Sequence, residues 1–455
     1  MAMLELKNKR VLVVGLGKSG LAAALFLRDR GARVTVSDTR SAHALAKDIP
    51  ALLEAGIMVE SGGHGLLTFR RQDLIVVSPG VPLDTPEVAQ AITFGLPVIG
   101  ELELASRFLE GKIVAITGSN GKTTTTTLIG KIFADAGLPT LVGGNIGLPV
   151  IELIPEAKPE TWSVLEVSSF QLETTVEFRP NIALVLNITP DHLDRHKTFA
   201  NYAAAKAMIT TQQTPDDYLV LNAEDVPTQM VAAKTKAQIF WFSGVRRIKQ
   251  GAFVHGESIF WLSKEGGTPE PVLPVAEITL RGAHNVENVL AAVCAGKLAG
   301  ISSESIRASV AAFHAVEHRL EPVRTLHGVT YFNDSKATNV DATLKALASF
   351  PSGVHLILGG KDKASDYTQL APLLRERAVA VYTIGSAAEK IERELAGVVK
   401  IVTAGTLKSA VESASAAAKS GELVLLAPAC SSFDQFENYE HRGRVFRECV
   451  TALKE

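Results

Sequence analysis

Residues 113–124, Ile113-Val114-Ala115-Ile116-Thr117-Gly118-Ser119-Asn120-Gly121-Lys122-Thr123-Thr124, read as an apolar strand, a glycine turn and a Lys-Thr pair that opens a helix. In such a loop the backbone N–H groups converge on phosphate oxygens, and the helix N-terminus adds partial positive charge. Lys122 supplies a full charge and the Thr123 hydroxyl can ligate Mg²⁺. The stretch therefore predicts bound ATP, held by Gly118, Ser119, Asn120, Gly121, Lys122, Thr123 and Thr124. The general pattern G-x-x-x-x-G-K-[ST] would need glycine where this chain has Ile116, so the loop is the shorter T-G-x-x-G-K-T form.

Strand and helix patterns alternate on both sides of this loop, which predicts an α/β fold with mainly parallel sheets. The 455 residues exceed one hydrophobic core; at about 150 residues per domain they suggest roughly three. The boundaries read as 1–100, 101–314 and 315–455. The 46 Lys+Arg nearly balance 48 Asp+Glu, for a formal net charge of -2, so no electrostatic footprint points to DNA, RNA or an anionic membrane. Small molecules are the expected partners. Cys294, Cys430 and Cys449 are widely spaced and form no metal-ligand pattern, which suits a reducing compartment. Met-Ala-Met-Leu-Glu-Leu-Lys-Asn-Lys-Arg precedes an apolar run of only Val11 to Val14, too short and too charged around it for a signal peptide or a span. A cytoplasmic, unprocessed chain is expected.

In the first segment, a strand over 10–14 runs into Gly15-Leu16-Gly17-Lys18-Ser19-Gly20, and a second strand over 33–37 delivers Asp38. This is a dinucleotide fingerprint, with glycines for the tight turn and an acid placed for a ribose hydroxyl. NAD(P) would fit it, and so would any ligand with a pyrophosphate and a ribose. A strand over 74–77 then ends in Ser78-Pro79-Gly80, at the sheet edge where open α/β folds bind ligands. In the second segment, strands over 163–167, 183–188 and 218–222 look like neighbours of the phosphate-loop strand. Short alternating stretches with glycine turns over 238–281 predict a small antiparallel sheet, followed by a helix over 284–298. The third segment repeats strand and helix, with strands over 354–358, 379–384 and 423–426, and reads as another Rossmann-like unit.

Strand ends of the middle segment carry polar residues that a core does not need. Glu166 ends one strand, and Asn187-Ile188-Thr189-Pro190-Asp191-His192-Leu193-Asp194-Arg195-His196 concentrates acid, imidazole and guanidinium. ATP chemistry needs Mg²⁺ with oxygen ligands beside the phosphates, and Glu166 and Thr123 are the natural first ligands. On local pattern alone His192 also reads as a surface loop histidine and Lys206 as a solvated helix lysine.

Thr117 to Thr123, Glu166-Val167-Ser168-Ser169-Phe170-Gln171-Leu172, Asn187 to Arg195, Gly282-Ala283-His284-Asn285-Val286-Glu287-Asn288, His318-Arg319 and Asn333-Asp334-Ser335-Lys336-Ala337-Thr338-Asn339 together resemble the Mur ligases of peptidoglycan synthesis, across all three segments. Ser335 to Asn339 and the ending Pro428-Ala429-Cys430-Ser431-Ser432-Phe433-Asp434-Gln435-Phe436 look like the branch that adds D-glutamate. Sister ligases and folylpolyglutamate synthase share the phosphate loop but differ at those two places. The resemblance implies a cytoplasmic enzyme, expected to be a monomer, that uses ATP to join D-glutamate to UDP-N-acetylmuramoyl-L-alanine through an acyl phosphate. A nicotinamide oxidoreductase using Gly15 to Asp38 stays open as the reading from another class.

The resemblance also implies roles. Lys122, His192 and Lys206 are the expected catalytic groups. Thr123 and Glu166 match ligands of a first Mg²⁺, and His192 and Lys206 match those of a second, Lys206 standing where the family uses a lysine carbamate. Asn285 or Asn288 is expected near adenine, with Arg319 and Asp334 as nucleotide contacts from the third domain. Ser19, Asp38, Thr39, Arg40, Ser78, Gly80 and Asn145 match contacts to uridine diphosphate. Thr338, Lys363, Ser432, Phe433 and Tyr439 match the D-glutamate pocket, with Lys361 competing with Lys363 for the side-chain carboxylate, and Lys336 either holds this pocket or contacts phosphate.

Overall fold

A computed structural model describes residues 4–233, 235–280, 282–314 and 317–454, and three sheets follow one another along it. Residues 1–3, and residue 315 at the expected second boundary, lie outside the described residues. The first sheet contains β1 (Arg10–Val14), β2 (Arg33–Asp38), β3 (Met58–Ser61), β4 (Leu74–Val77) and β5 (Val98–Gly100), ordered β3-β2-β1-β4-β5 and wholly parallel. Val11 to Val14 are buried on both faces, the pattern of a parallel strand covered by helices on each side. Strand order reverses between β1 and β4, which opens a crevice at their carboxyl ends. Gly20 lets the helix Lys18–Asp29 start against this edge, since a Cβ there would collide with the Gly15 carbonyl oxygen.

The second sheet contains β6 (Lys112–Thr117), β7 (Thr140–Gly144), β8 (Trp162–Glu166), β9 (Ile182–Val185), β10 (Tyr218–Asn222), β11 (Gln238–Ser243), β12 (Gly251–His255), β13 (Ser258–Leu262) and β14 (Glu270–Pro274). Their order is β14-β13-β12-β11-β10-β9-β6-β8-β7. The small antiparallel sheet expected over 238–281 is not a separate sheet. β11 pairs in parallel with β10 and β12, and only β12-β13 and β13-β14 are antiparallel, so these strands prolong the edge of the large sheet. Hairpin chemistry is local, whereas the joining of β11 to β10 is a tertiary event, supported by the helix Ala283–Leu298 packing across both. The strand expected over 183–188 also stops earlier, at Val185, because Asn187 leaves the ladder to bond the phosphate loop.

The third sheet contains β15 (Glu321–Leu326), β16 (Val329–Asn333), β17 (Val354–Gly359), β18 (Ala378–Ile384), β19 (Lys400–Gly405) and β20 (Leu423–Leu426), ordered β15-β16-β20-β17-β18-β19. Only β15 is antiparallel to its neighbour. Parallel pairing therefore brings the loops after β16, β17 and β20 to one edge. Between the first two sheets the helix Glu101–Ser106 carries two buried carboxylates. Glu101 accepts from the N–H of Ile151 at 2.8 Å, and Glu103 accepts from the N–H groups of Val176, Glu177 and Phe178. Among the described residues no helix is long and apolar enough to cross a membrane.

Candidate active site

Gly121, with φ of 86°, caps the helix Lys122–Asp135, and a side chain there would strike Asn288. The loop is braced by Asn187, whose carbonyl accepts from the Ser119 N–H and whose side chain accepts from the Asn120 N–H, each at 2.9 Å. Ser119 Oγ also meets Tyr202 Oη at 3.0 Å. This bracing fixes the shape of the loop and so the start of the helix Lys122–Asp135, the preorganisation that anion binding at a helix N-terminus exploits. Lys122 Nζ turns back onto the carbonyls of Gly118 (2.8 Å) and Ser119 (3.0 Å). Thr124 is buried beneath the loop.

Lys206 Nζ reaches the same Gly118 carbonyl at 2.8 Å and lies 4.7 Å from the Tyr202 ring centre. Tyr202 and Lys206 are four residues apart on the helix Phe199–Ala207 and so share one face. Lys206 is only 1% exposed and pairs with no carboxylate among the described residues. Burial, reinforced by repulsion from Lys122, pushes its amine well below the usual lysine range. Burial lowers Lys122 as well, against the pull of Glu166 and Asp191. His192 sits at φ of 54° and ψ of 34°, a left-handed conformation that is costly for a non-glycine residue and that re-aims its ring. Burial brings the imidazole down to about 4 although Asp191 opposes the shift, so the ring is neutral at pH 7 with a free lone pair. Glu166 accepts from Thr123 Oγ1 at 2.7 Å and from Asn145 Nδ2 at 2.8 Å.

These side chains fit magnesium chemistry of the kind the sequence implies. Among the described residues no three His, Cys, Asp or Glu side chains converge as a metal group, and the donors beside the loop are the Thr123 hydroxyl, the Glu166 carboxylate and the His192 imidazole. A buried amine without a carboxylate partner is the form of lysine that can take up CO₂, because only the neutral amine is nucleophilic.

Lys122, His192 and Lys206 line a cavity of about 350 Å³ together with Thr338, Lys363, Ser432, Phe433 and Tyr439 of the third sheet's loops. Lys363 Nζ pairs with Asp191 Oδ1 at 3.1 Å, a buried link between second and third domains. Lys361 is exposed and bridges Ser431 through its backbone, so Lys363 is the lysine at the cavity wall. Lys336 is not at that wall: its Nζ donates to Tyr439 Oη at 2.8 Å, and burial brings it down to about 8. A narrow groove on the other side of the phosphate loop is lined by Asn120, Gly121, Asn288, Arg319 and Asp334, with His284, Glu287 and Lys345. Asn285 supports this wall from behind by accepting from Asn288 Nδ2 at 3.0 Å. Burial raises Asp334 to about 6, with Arg319 at 4.0 Å opposing.

The crevice between β1 and β4 is a cavity of about 460 Å³, lined by Ser19, Asp38, Thr39, Arg40, Ser78, Gly80 and Asn145. Burial works to raise Asp38, but bonds from Arg40 and from the N–H of Leu16 prevail and hold it at about 2. Asn145 lines both this cavity and the one around Lys206, so the two are adjoining. Several lining or bracing residues were not foreseen: His64, which meets Ser37 Oγ at 2.8 Å, Asp191, Tyr202, His284, and Asp341, which accepts from Asn120 Nδ2 at 2.5 Å. Of these Asp191 and His284 lie in stretches the sequence singles out without a role of their own, and Tyr202 leaves a signal in its four-residue spacing from Lys206.

A phosphate-type loop facing a cavity lined by Lys122, Lys206 and Lys363, with a second nucleotide-type crevice adjoining it, is the arrangement of a multidomain nucleotide-dependent ligase. Family comparison makes the assignment narrower. Residues 9–100 match the Mur ligase MurD-like N-terminal domain, 116–296 the Mur ligase middle domain and 318–430 the Mur ligase glutamate ligase domain. The chain belongs to the Mur ligase family. It is 66% identical over 449 residues to a UDP-N-acetylmuramoylalanine--D-glutamate ligase of Acidobacterium capsulatum, covering 99% of this chain and 97% of that one. It is 58% identical to the enzyme of the same name from Koribacter versatilis, covering 99% of each chain. Among solved structures, the UDP-N-acetylmuramate-alanine ligase of Thermotoga maritima superposes with a TM-score of 0.61 at 19% identity over 98% of this chain and 100% of that one, a likeness of fold.

Proposed function

We propose that this chain joins D-glutamate to UDP-N-acetylmuramoyl-L-alanine at the expense of ATP, giving the amide, ADP and phosphate, for peptidoglycan synthesis. The observation that carries the reading is the adjoining pair of cavities around Asn145, one with uridine-diphosphate-type lining and one combining Lys122, Lys206 and His192 with Lys363, Thr338 and Ser432. The high identity to ligases of that name over nearly the whole chain supports the same substrates.

A carboxylate is a poor acyl electrophile, so the substrate's terminal carboxylate oxygen first attacks the γ-phosphorus and ADP leaves. The amino group of D-glutamate then adds to the acyl phosphate carbon, loses a proton, and phosphate departs. Both steps gather negative charge, which Lys122 and the N-terminus of its helix would stabilise once the ammonium leaves the Gly118 and Ser119 carbonyls it contacts. Thr123 and Glu166 would hold one Mg²⁺, and His192 and a carbamylated Lys206 the other. Bound magnesium supplies charge neutralisation on the phosphates and acyl oxygens. Asp38 and Arg40 would orient the uridine ribose and diphosphate, Arg319 and Asp334 the nucleotide from the third domain, and Lys363, Thr338, Ser432, Phe433 and Tyr439 the amino acid. Contacts contributed by separate domains make closure part of binding and keep water from the acyl phosphate.

The test is to supply ATP, Mg²⁺ and the UDP-linked substrate with D-glutamate, L-glutamate, L-lysine, meso-diaminopimelate or L-alanine, and to measure ADP and amide. Turnover with D-glutamate alone is expected. Folded protein that forms no amide with it refutes the reading. Equilibrium dialysis against UDP and NAD(H) separately tests the first-domain crevice, where a preference for UDP is expected.

A further inference from the structure

We propose that Glu440 receives the ammonium group of the incoming amino acid. This rests on the ligase reading above and deepens it. Cations and hydroxyls such as Lys363, Thr338 and Ser432 can hold two carboxylates, but on their own they would accept a dicarboxylate lacking an amine equally well. The amine must also be held in one direction to reach the acyl carbon, and a charged amine calls for an anionic partner.

Two carboxylates line that cavity among the described residues, Asp191 and Glu440. Asp191 is occupied whether or not Lys363, at 3.1 Å, turns to the substrate: one oxygen takes the His192 N–H at 2.9 Å, and the other takes Asn339 Nδ2 at 3.0 Å. Glu166, behind the loop, is taken by Thr123 and Asn145. Glu440 lines the same cavity, half-buried, in the first turn of the helix Tyr439–Thr451. It forms no ion pair with lysine or arginine among the described residues, and the neighbouring Tyr439 phenol is taken by Lys336 Nζ at 2.8 Å. An acid in a first helical turn also favours the helix dipole, but this helix is already capped by Asn438, whose side chain accepts from the His441 N–H at 2.7 Å. Helix formation therefore does not require Glu440. An ammonium partner accounts for an acid without a cation at the wall of this cavity.

The experiment uses the full chain saturated with the UDP-linked substrate and compares D-glutamate with glutarate, which lacks only the amine. Wild-type protein should turn over D-glutamate and bind it at least tenfold more tightly than it binds glutarate, measured as a competitive inhibitor. Glu440→Gln should raise the KM for D-glutamate at least tenfold while leaving the inhibition constant of glutarate within about twofold, and Glu440→Asp should recover part of the loss. Equal weakening of both ligands, or of neither, overturns the proposal. So does a wild-type preference for D-glutamate below threefold, which needs no variant. Absence of wild-type turnover removes the ligase reading itself, a distinguishable result.

Discussion

Replacing Arg442 by methionine should loosen the third domain and the amino-acid pocket together. The guanidinium is fully buried with no carboxylate partner among the described residues, and burial pushes it down to about 10, so it remains cationic at neutral pH. Nε donates to Ser335 Oγ at 3.0 Å, Nη2 to the Ser335 carbonyl at 2.8 Å and Nη1 to the Cys430 carbonyl at 3.1 Å. One side chain thus ties the loop after β16, which leads to Lys336 and Thr338, to the loop after β20, which leads to Ser432 and Phe433. Hydrogen bonds from a charged donor contribute about 1.5–3 kcal/mol each, so losing these costs roughly 5–9 kcal/mol. Relief of the buried charge offsets roughly 3 kcal/mol, on the scale of about 1.4 kcal/mol per pKa unit. The net loss is several kcal/mol, which at about 2–4 °C per kcal/mol for a domain of this size lowers its Tm by roughly 10 °C. Scanning calorimetry should show that drop, and steady-state kinetics a KM for D-glutamate raised at least tenfold with a smaller change for ATP. Arg442→Lys should restore little of the lost stability, because one ammonium cannot span acceptors arranged for a planar fork. A methionine variant with Tm within about 2 °C of wild type and an unchanged KM would refute the reasoning.

Lys122→Ala should reduce ADP formation by about 10²-fold or more, as loss of a transition-state cation does; unchanged turnover in a coupled ADP assay would remove the loop from the chemistry. Asp334 is raised to about 6 by burial, so acidification below that value protonates it and should weaken ATP binding. Calorimetric titration from pH 8 to 5 should show the weakening in wild type and a flat profile in Asp334→Asn. Glu101 is raised to about 7 by burial, and one of its oxygens has no partner. The folded state keeps a proton that an unfolded glutamate sheds near about 4.3, so this group's contribution falls as pH rises from about 4 to 7, by at most about 1.4 kcal/mol per unit. Thermal melts should show Glu101→Gln flattening the decline of Tm across that window.

The phosphate loop was legible because its ligand geometry is contained in consecutive residues: strand, turn and helix start are all local. The crevice of Asp38, Arg40, Ser78 and Gly80 was legible for a related reason, since parallel strands deliver their following loops to one edge whatever the details of packing. The joining of β11 to the parallel sheet was not legible, because the same alternation suits a free hairpin and a sheet edge alike. Lys206 shows the limit most sharply. Its helix pattern reads as a solvated lysine, and only the packing of that helix on the phosphate loop removes water from the amine and shifts its proton.

By itself the sequence determined the three-unit α/β order, the triphosphate loop and the residue types at each strand end, because these depend on periodicity and on short-range backbone chemistry. Tertiary structure alone decided that Asp191 would meet Lys363, that Lys363 rather than Lys361 would face the cavity, and that Asn145 would stand at two cavities at once. Those contacts join residues far apart in the chain, and their burial, which sets charge state and reactivity, exists only once the domains have packed.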